Sequence, residues 1–305
     1  MRFLSCLILI VLLVPIGFAQ AFSDDALKAQ IQMFLTQAQS FNKQGAYEEA
    51  IVAYSRAIKI TPKEQSKLLS MIYSHRGSAN TKAGLYFAAI DDLNKSVELN
   101  PLESNNYIYR SYYYVQIDNF DSAILDSSKA IELDPTKAMA YNNRAYAHIQ
   151  KGDLSKAMLD LNKAIEINPK ISLAYNNRAL IYIKTGKLDL ALPDINKTIE
   201  LDPKLPEVYD NRGLMFYEKK EYEKAVSDFN HALELNANKA ATYIHRGKTY
   251  FKQNYVLQAI SDYTKALRIN PKMSEAYQER AKAYEKIGDK KQSLADLQKV
   301  SELKK

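Results

Sequence analysis

Six side chains near the middle of this chain are spaced for chemistry that needs donors and acceptors together. Asn142 and Asn143, Asn176 and Asn177, and Asp210 and Asn211 recur at intervals of 34 residues, each pair followed by an arginine, Arg144, Arg178 or Arg212. A carboxamide offers two N–H donors and a carbonyl acceptor, so a row of them can satisfy an extended peptide backbone whatever its side chains. Apolar residues repeat at the same interval, as Tyr112, Tyr146, Leu180 and Leu214, and could bury the apolar groups of such a ligand. The chemistry is non-covalent recognition. The competing assignment leaves these asparagines facing water.

Other chemistry is poorly provided for. The four histidines, His75, His148, His231 and His245, are scattered, and no H-E-x-x-H spacing occurs. The single cysteine, Cys6, lies near the N-terminus, which leaves no thiolate cluster for a metal. No glycine-rich phosphate loop or nucleophile elbow is present. The sequence therefore predicts no enzyme, no cofactor and no metal site.

The elements that position these residues follow from the period. Pro101, Pro135, Pro169, Pro203 and Pro271 end runs of the type A-I-E-L-D-P at multiples of 34. Counting the proline as position 32, repeats run 31–64, 70–103, 104–137, 138–171, 172–205, 206–239, 240–273 and 274–305, with Gln65 to Leu69 inserted ahead of the second. Positions 4, 8 and 11 share one helical face, as do 20, 24, 27 and 30, so each repeat is two amphipathic helices. Position 15 carries Gly45, Gly84, Gly152, Gly186 or Gly288, which can end the first helix in the left-handed conformation; Asp118 and Asn254 approximate it and Lys220 is the poor match.

A tyrosine or phenylalanine stands at position 4 of every repeat, from Phe34 and Tyr73 to Tyr277, and alanine at position 20 from Ala50 to Ala259. With the glycine and proline, this pattern resembles the tetratricopeptide repeat family. The resemblance covers nearly all of residues 22–305 and implies an all-α fold, an α-solenoid in the form of a right-handed superhelix of about eight stacked helix-turn-helix units. It also implies a non-enzymatic scaffold that binds a protein or peptide partner in a concave groove. Positions 2, 5, 6, 9, 12 and 13 line that groove in the family, which makes Tyr112, Asn142, Asn143, Tyr146, Asn176, Asn177, Leu180, Asp210, Asn211 and Leu214 the candidate site. Their arrangement is similar to the asparagine ladder of the O-linked N-acetylglucosamine transferase superhelix. Lysine at position 5, which the chaperone-binding members use to clamp a C-terminal carboxylate, is absent here.

A second pairing recurs with the repeat. Position 7 is Arg76, Arg110, Arg144, Arg178, Arg212, Arg246 and Arg280, and position 23 is Asp92, Asp126, Asp160, Asp194, Asp228, Asp262 and Asp296; the first repeat lacks both. Each lies at the edge of a buried stripe, so the two should form bridges within a repeat or between neighbours. A phosphate-binding arginine ladder is the rival, weakened because every arginine brings its own aspartate. Lysines at position 26 are mostly three residues ahead of a glutamate, as Lys95 is of Glu98, which absorbs much of the remaining basic charge.

The N-terminus reads as a secretory leader over residues 1–21: Arg2, an apolar run from Phe3 to Val14, and the small-residue site Ala19, Gln20, Ala21. The protein is then expected to be exported, periplasmic in a bacterium and otherwise secreted, with no membrane insertion of the mature chain. Net charge is +7, or +6 without the leader's Arg2. That balance admits a nucleic-acid-binding helical repeat or a spacer binding through its ends as alternatives. Placing most tyrosines on packing positions argues against base stacking, and the site predicts a protein partner and no nucleic acid.

Overall fold

The computed structural model describes residues 16–303, with side chains from residue 24 onward. The expected leader therefore lies mostly outside the described residues. Two compact units divide the chain after Pro135. The first holds α1 (Ile16–Gln44), α2 (Tyr47–Ile60), α3 (Ser66–Lys82), α4 (Tyr86–Leu99), α5 (Ser104–Gln116) and α6 (Phe120–Leu133). The second holds α7 (Ala138–Gln150), α8 (Leu154–Ile167), α9 (Ser172–Lys184), α10 (Leu188–Leu201), α11 (Pro206–Glu218), α12 (Tyr222–Leu235), α13 (Ala240–Lys252), α14 (Val256–Ile269), α15 (Ser274–Lys286) and α16 (Lys290–Glu302). Each unit is a stack of helical hairpins, the architecture of an α-solenoid. The insertion after Glu64 lengthens α3 at its start.

Helix ends follow the residues at position 15. Gly84 has φ of +77°, and the chain reverses with the Leu85 N–H donating to the Asn80 carbonyl at 2.9 Å. Asp118, Lys220 and Asn254 take the same conformation at φ of 57°, 62° and 69°. Lys220, the poorest match by type, is thus forced into line by its neighbours, at the steric cost a Cβ carries there. Pro193 removes one backbone donor, yet α10 runs through it from Leu188 to Leu201.

Alanine at position 20 lets the two helices of a hairpin approach closely, and Ala50, Ala89, Ala123, Ala157, Ala191, Ala225 and Ala259 are all fully buried. In repeats 4 to 7 of the second unit, facing positions 8 and 24 are matched in size. Phe229 fills the space beside Gly213, where an added Cβ would stand 2.6 Å from the ring, and Tyr263 does the same beside Gly247. Where position 8 is Ala145 or Ala179, position 24 shrinks to Leu161 or Ile195.

The arginine and aspartate pairs close every hairpin but the first. In all seven, Nε of the arginine donates to one carboxylate oxygen and a terminal nitrogen to the other, as in Arg178 to Asp194 at 2.7 Å twice. Asp194 is buried and Arg178 half-buried. In several hairpins the other terminal nitrogen reaches the preceding repeat, Arg178 donating to Asn162 Oδ1 at 2.9 Å and Arg246 to Asn230 Oδ1 at 2.6 Å. The guanidinium also lies over the tyrosine one turn earlier, 5.6 Å from the ring of Tyr175. The position-4 tyrosines are thereby committed: Tyr209 also donates its hydroxyl to the Pro203 carbonyl at 2.9 Å. The lysines of position 26 pair as expected at Lys95, Lys129, Lys163, Lys197 and Lys299, while Lys265 instead has Asp262 at 4.0 Å.

Candidate functional site

The first helix of every hairpin in the second unit contributes to one groove of about 1160 Å³. Its walls include Tyr146, Asn176, Asn177, Leu180, Asp210, Asn211 and Leu214, seven of the ten residues the repeat pattern selects. Asn142 joins through a hydrogen bond from Asn177, Asn143 is buried on α7, and Tyr112 belongs to the first unit, where it is half-buried.

The asparagines do not face water. Asn142, Asn176, Asn177 and Asn211 are each only 4–6% exposed. Position 6 of one hairpin reaches back to position 5 of the hairpin before it, 35 residues earlier. Asn177 Nδ2 donates to Asn142 Oδ1 at 2.9 Å. Asn211 Nδ2 donates to Asn176 Oδ1 at 2.8 Å and to the Asn176 carbonyl at 3.2 Å. The third rung changes chemistry: His245 Nδ1 stands 3.0 and 3.1 Å from the two carboxylate oxygens of Asp210. The amides thus serve first as joints between hairpins, because a buried amide left unpaired is costly.

Joint-making does not exhaust them. Asn177 Oδ1, Asn211 Oδ1 and Asn176 Nδ2 have no protein partner, and none belongs to the enclosed, unsatisfied atoms among the described residues. They open on the groove, two acceptors and a donor, beside the half-buried Tyr146, Leu180 and Leu214. Thr242 adds a hydroxyl to the same surface.

Beyond Leu214 the walls become charged, a change the asparagine pattern alone did not announce. His245, Lys248, Phe251 and Lys252 on α13 and Glu275, Glu279 and Lys282 on α15 line this end. Lys248 bonds Glu275, and Lys282 donates to Glu279 at 2.7 Å. Burial pushes the Glu275 carboxyl up, but the bonded Lys248 ammonium, with His245 and Lys184 near it, holds it below the usual carboxylate range. Lys184 on α9 thus acts on a carboxylate of α15 across the groove. Burial pushes the Tyr217 hydroxyl up, and neighbouring Tyr222, Glu218 and Glu279 push it the same way. The signal that finds this end is the 35-residue offset, which pairs Asp210 with His245 as it pairs Asn176 with Asn211. Among the described residues no group of three or more histidine, cysteine or acidic side chains is placed to hold a metal ion. Nor is any described helix long and apolar enough to cross a membrane.

Models of the tetratricopeptide repeat match residues 31–64, 138–171, 172–205, 240–273 and 274–305, and a further TPR repeat model matches 213–254. This chain is a tetratricopeptide repeat protein. A stretch of 77 residues is 34% identical to the mitochondrial import receptor subunit TOM70 of rat and of human, spanning 25% of this chain and 13% of the receptor. Among solved structures, a chain of the APC/C hetero-tetramer Cut9-Hcn1 superposes with a TM-score of 0.72 at 17% identity, over 88% of this chain and 52% of that one. A tetratricopeptide repeat protein of Parabacteroides merdae gives 0.62 at 18% identity, over 84% and 99%. At such identities the likeness establishes the fold. Tetratricopeptide repeats are protein-interaction scaffolds, and in this tetratricopeptide repeat protein the groove-facing positions are those just described.

Proposed function

We propose that the second unit binds an extended protein segment along its groove, with Tyr146, Leu180 and Leu214 burying apolar side chains and the open amide atoms meeting the segment's backbone. One observation carries this reading: Asn176 Nδ2, Asn177 Oδ1 and Asn211 Oδ1 stay unpaired and reachable although their residues are nearly buried. A surface built only to be wet would not place polar atoms so deep beside aliphatic walls. An extended strand suits it because main-chain groups recur along the segment regardless of sequence.

The test avoids the amides, which also hold hairpins together. Leu180→Glu with Leu214→Glu should weaken binding to an array of synthetic extended peptides carrying alternating Leu, Val and Tyr by at least about tenfold, since central apolar contacts carry most of such affinity. Helix content by circular dichroism should not change. Equal binding by the variant would remove the groove from the account.

We place this scaffold outside the cytoplasm, in envelope or secretory-compartment assembly, on the strength of Arg2, the apolar run from Phe3 to Val14 and the Ala19–Ala21 site. Protein recovered from its native host should begin at Phe22 by intact mass; a mass that includes residues 1–21 would count against export by a cleaved leader.

A further inference from the structure

The apolar wall and the open acceptors of the groove both repeat at the interval of one hairpin. Tyr146, Leu180 and Leu214 stand at position 9 on α7, α9 and α11, and the open acceptors Asn177 Oδ1 and Asn211 Oδ1 stand at position 6 on α9 and α11. These three helices lie against one another in turn. Asn211 Nδ2 reaches the Asn176 main-chain carbonyl at 3.2 Å as well as the Asn176 side chain, so α9 and α11 approach as closely as packed helices do. Axes of helices packed in this way are about 8–10 Å apart, and a ligand that meets each hairpin alike must bring the same face back at that interval.

Two extended conformations compete for that interval. A β-strand returns the same face every second residue, after about 6.4–6.8 Å, and its third residue points the other way. Over the two intervals from Tyr146 to Leu214 it falls short by roughly 2–7 Å, so its side chains drift out of register with the wall. A polyproline II chain has three residues per turn at about 3.1 Å each, so the same face returns after about 9.3 Å, within the hairpin interval. One residue in three then faces the wall, and one N–H in three recurs beside Asn177 Oδ1 and Asn211 Oδ1. Such a chain makes no hydrogen bonds of its own, which leaves these N–H groups, and a carbonyl for Asn176 Nδ2, ready to pair. The wall itself spans three hairpins: position 9 becomes Lys248 on α13 and Lys282 on α15, bonded to Glu275 and Glu279.

We infer that this groove recognises a segment in the polyproline II conformation whose apolar side chains recur at every third residue, i, i+3 and i+6, against Tyr146, Leu180 and Leu214. The two residues between successive apolar ones face away from the wall. Proline suits them wherever their N–H is not the one that Asn177 or Asn211 accepts, since its ring holds φ at about −65°, near the polyproline II value of about −75° and far from the β value of about −120° to −140°. A chain already held in this form also loses less conformational freedom on binding. The specificity lies in the spacing of the apolar residues, and the amide atoms add main-chain contacts that any sequence with the required N–H can supply.

The inference rests on the groove reading above, and the experiment separates the two. The probes are synthetic peptides: one with Leu at i, i+3 and i+6 and Gln or Ala between, one with the same residues rearranged to put Leu at i, i+2 and i+4, and two with Pro added to the first in either intervening register. Each is titrated by calorimetry into the full chain and into Leu180→Glu with Leu214→Glu. The wild type should bind the three-residue spacing at least about tenfold more tightly than the rearranged peptide, because central apolar contacts dominate such affinities. At least one proline register should bind as tightly as its parent or more so, and the double variant should lose the preference. Equal affinities in the wild type, tighter binding of the rearranged peptide, or weakening by proline in both registers overturns the polyproline II assignment and leaves the groove standing. A preference that survives in the double variant places the recognition elsewhere and overturns the inference for this groove. Failure of the wild type to bind any of the peptides overturns the groove and the inference together.

Discussion

Position 6 of the repeat does different work in the two units. In the first, His75 stacks on Tyr54 with centroids 6.0 Å apart, and Tyr109 meets His75 edge-on at 5.5 Å. Position 5 there supplies Leu35 and Ser74, neither of which forms a rung with the position-6 residue that follows. In the second, position 5 supplies Asn142, Asn176 and Asp210, and position 6 answers with Asn177, Asn211 and His245. An aromatic joint holds neighbouring hairpins by ring packing, with no hydrogen bond between the two side chains. A hydrogen-bonded joint needs one atom of each amide and leaves another open. The same slot therefore joins hairpins through rings in the first unit and through hydrogen bonds in the second.

That contrast can be broken in order of effect. The arginine and aspartate clasp is common to both units and should be indifferent to it: Asp92→Ala and Asp194→Ala each strand a half-buried guanidinium and should each cost about 2–3 kcal/mol, at or below the lower end for a broken buried pair because the arginine keeps some solvent. Hydrogen exchange resolved by unit measures this, and a large difference between the two variants would mean the units are held together on different principles altogether. The joints themselves should separate next. Tyr109→Ala removes aromatic packing and should loosen the first unit by about 2 kcal/mol, whereas Asn211→Ala leaves the Asn176 amide oxygen unpaired and should loosen the second by about 1–2 kcal/mol. Only the second change should also alter peptide binding.

The smallest effect is on acid stability. Burial holds the His75 imidazole below the usual histidine range. A lowered folded value means the unfolded chain takes up a proton first, so as pH falls through about 6.5 the first unit loses stability until its own imidazole titrates. His75→Phe should flatten the decline in the first unit's melting between pH 7.5 and 5.5. A decline just as steep in the variant would mean that His75 is not the group responsible.

How far these features could be read from residues alone depended on whether they repeat. The hairpins, the clasp and the turn at position 15 recur, and each recurrence reinforces one physical reason, so even Lys220 could be placed by its neighbours. Asn176, Asn177 and Asn211 were legible as groove residues by position, but their burial was not, because a helical face says which way an amide points and not that the next hairpin covers it. His245 and Lys248 escaped a search for asparagines, since a rung is a relation between two hairpins and shows only when residues 35 apart are read as pairs. Tyr112 carries the right type at the right position, yet it belongs to the unit whose joints are aromatic.

The central claim is that polar atoms left over from the joints of the second unit are what a partner meets. Side-chain amide resonances of Asn176, Asn177 and Asn211, followed by NMR during titration with an apolar extended peptide, test it directly. The account predicts that these three shift together and saturate with binding while Asn106, a buried amide of the first unit that bonds Ser70 and the Ser96 and Asn100 carbonyls, stays in place. Saturable binding that leaves the three unmoved would contradict it.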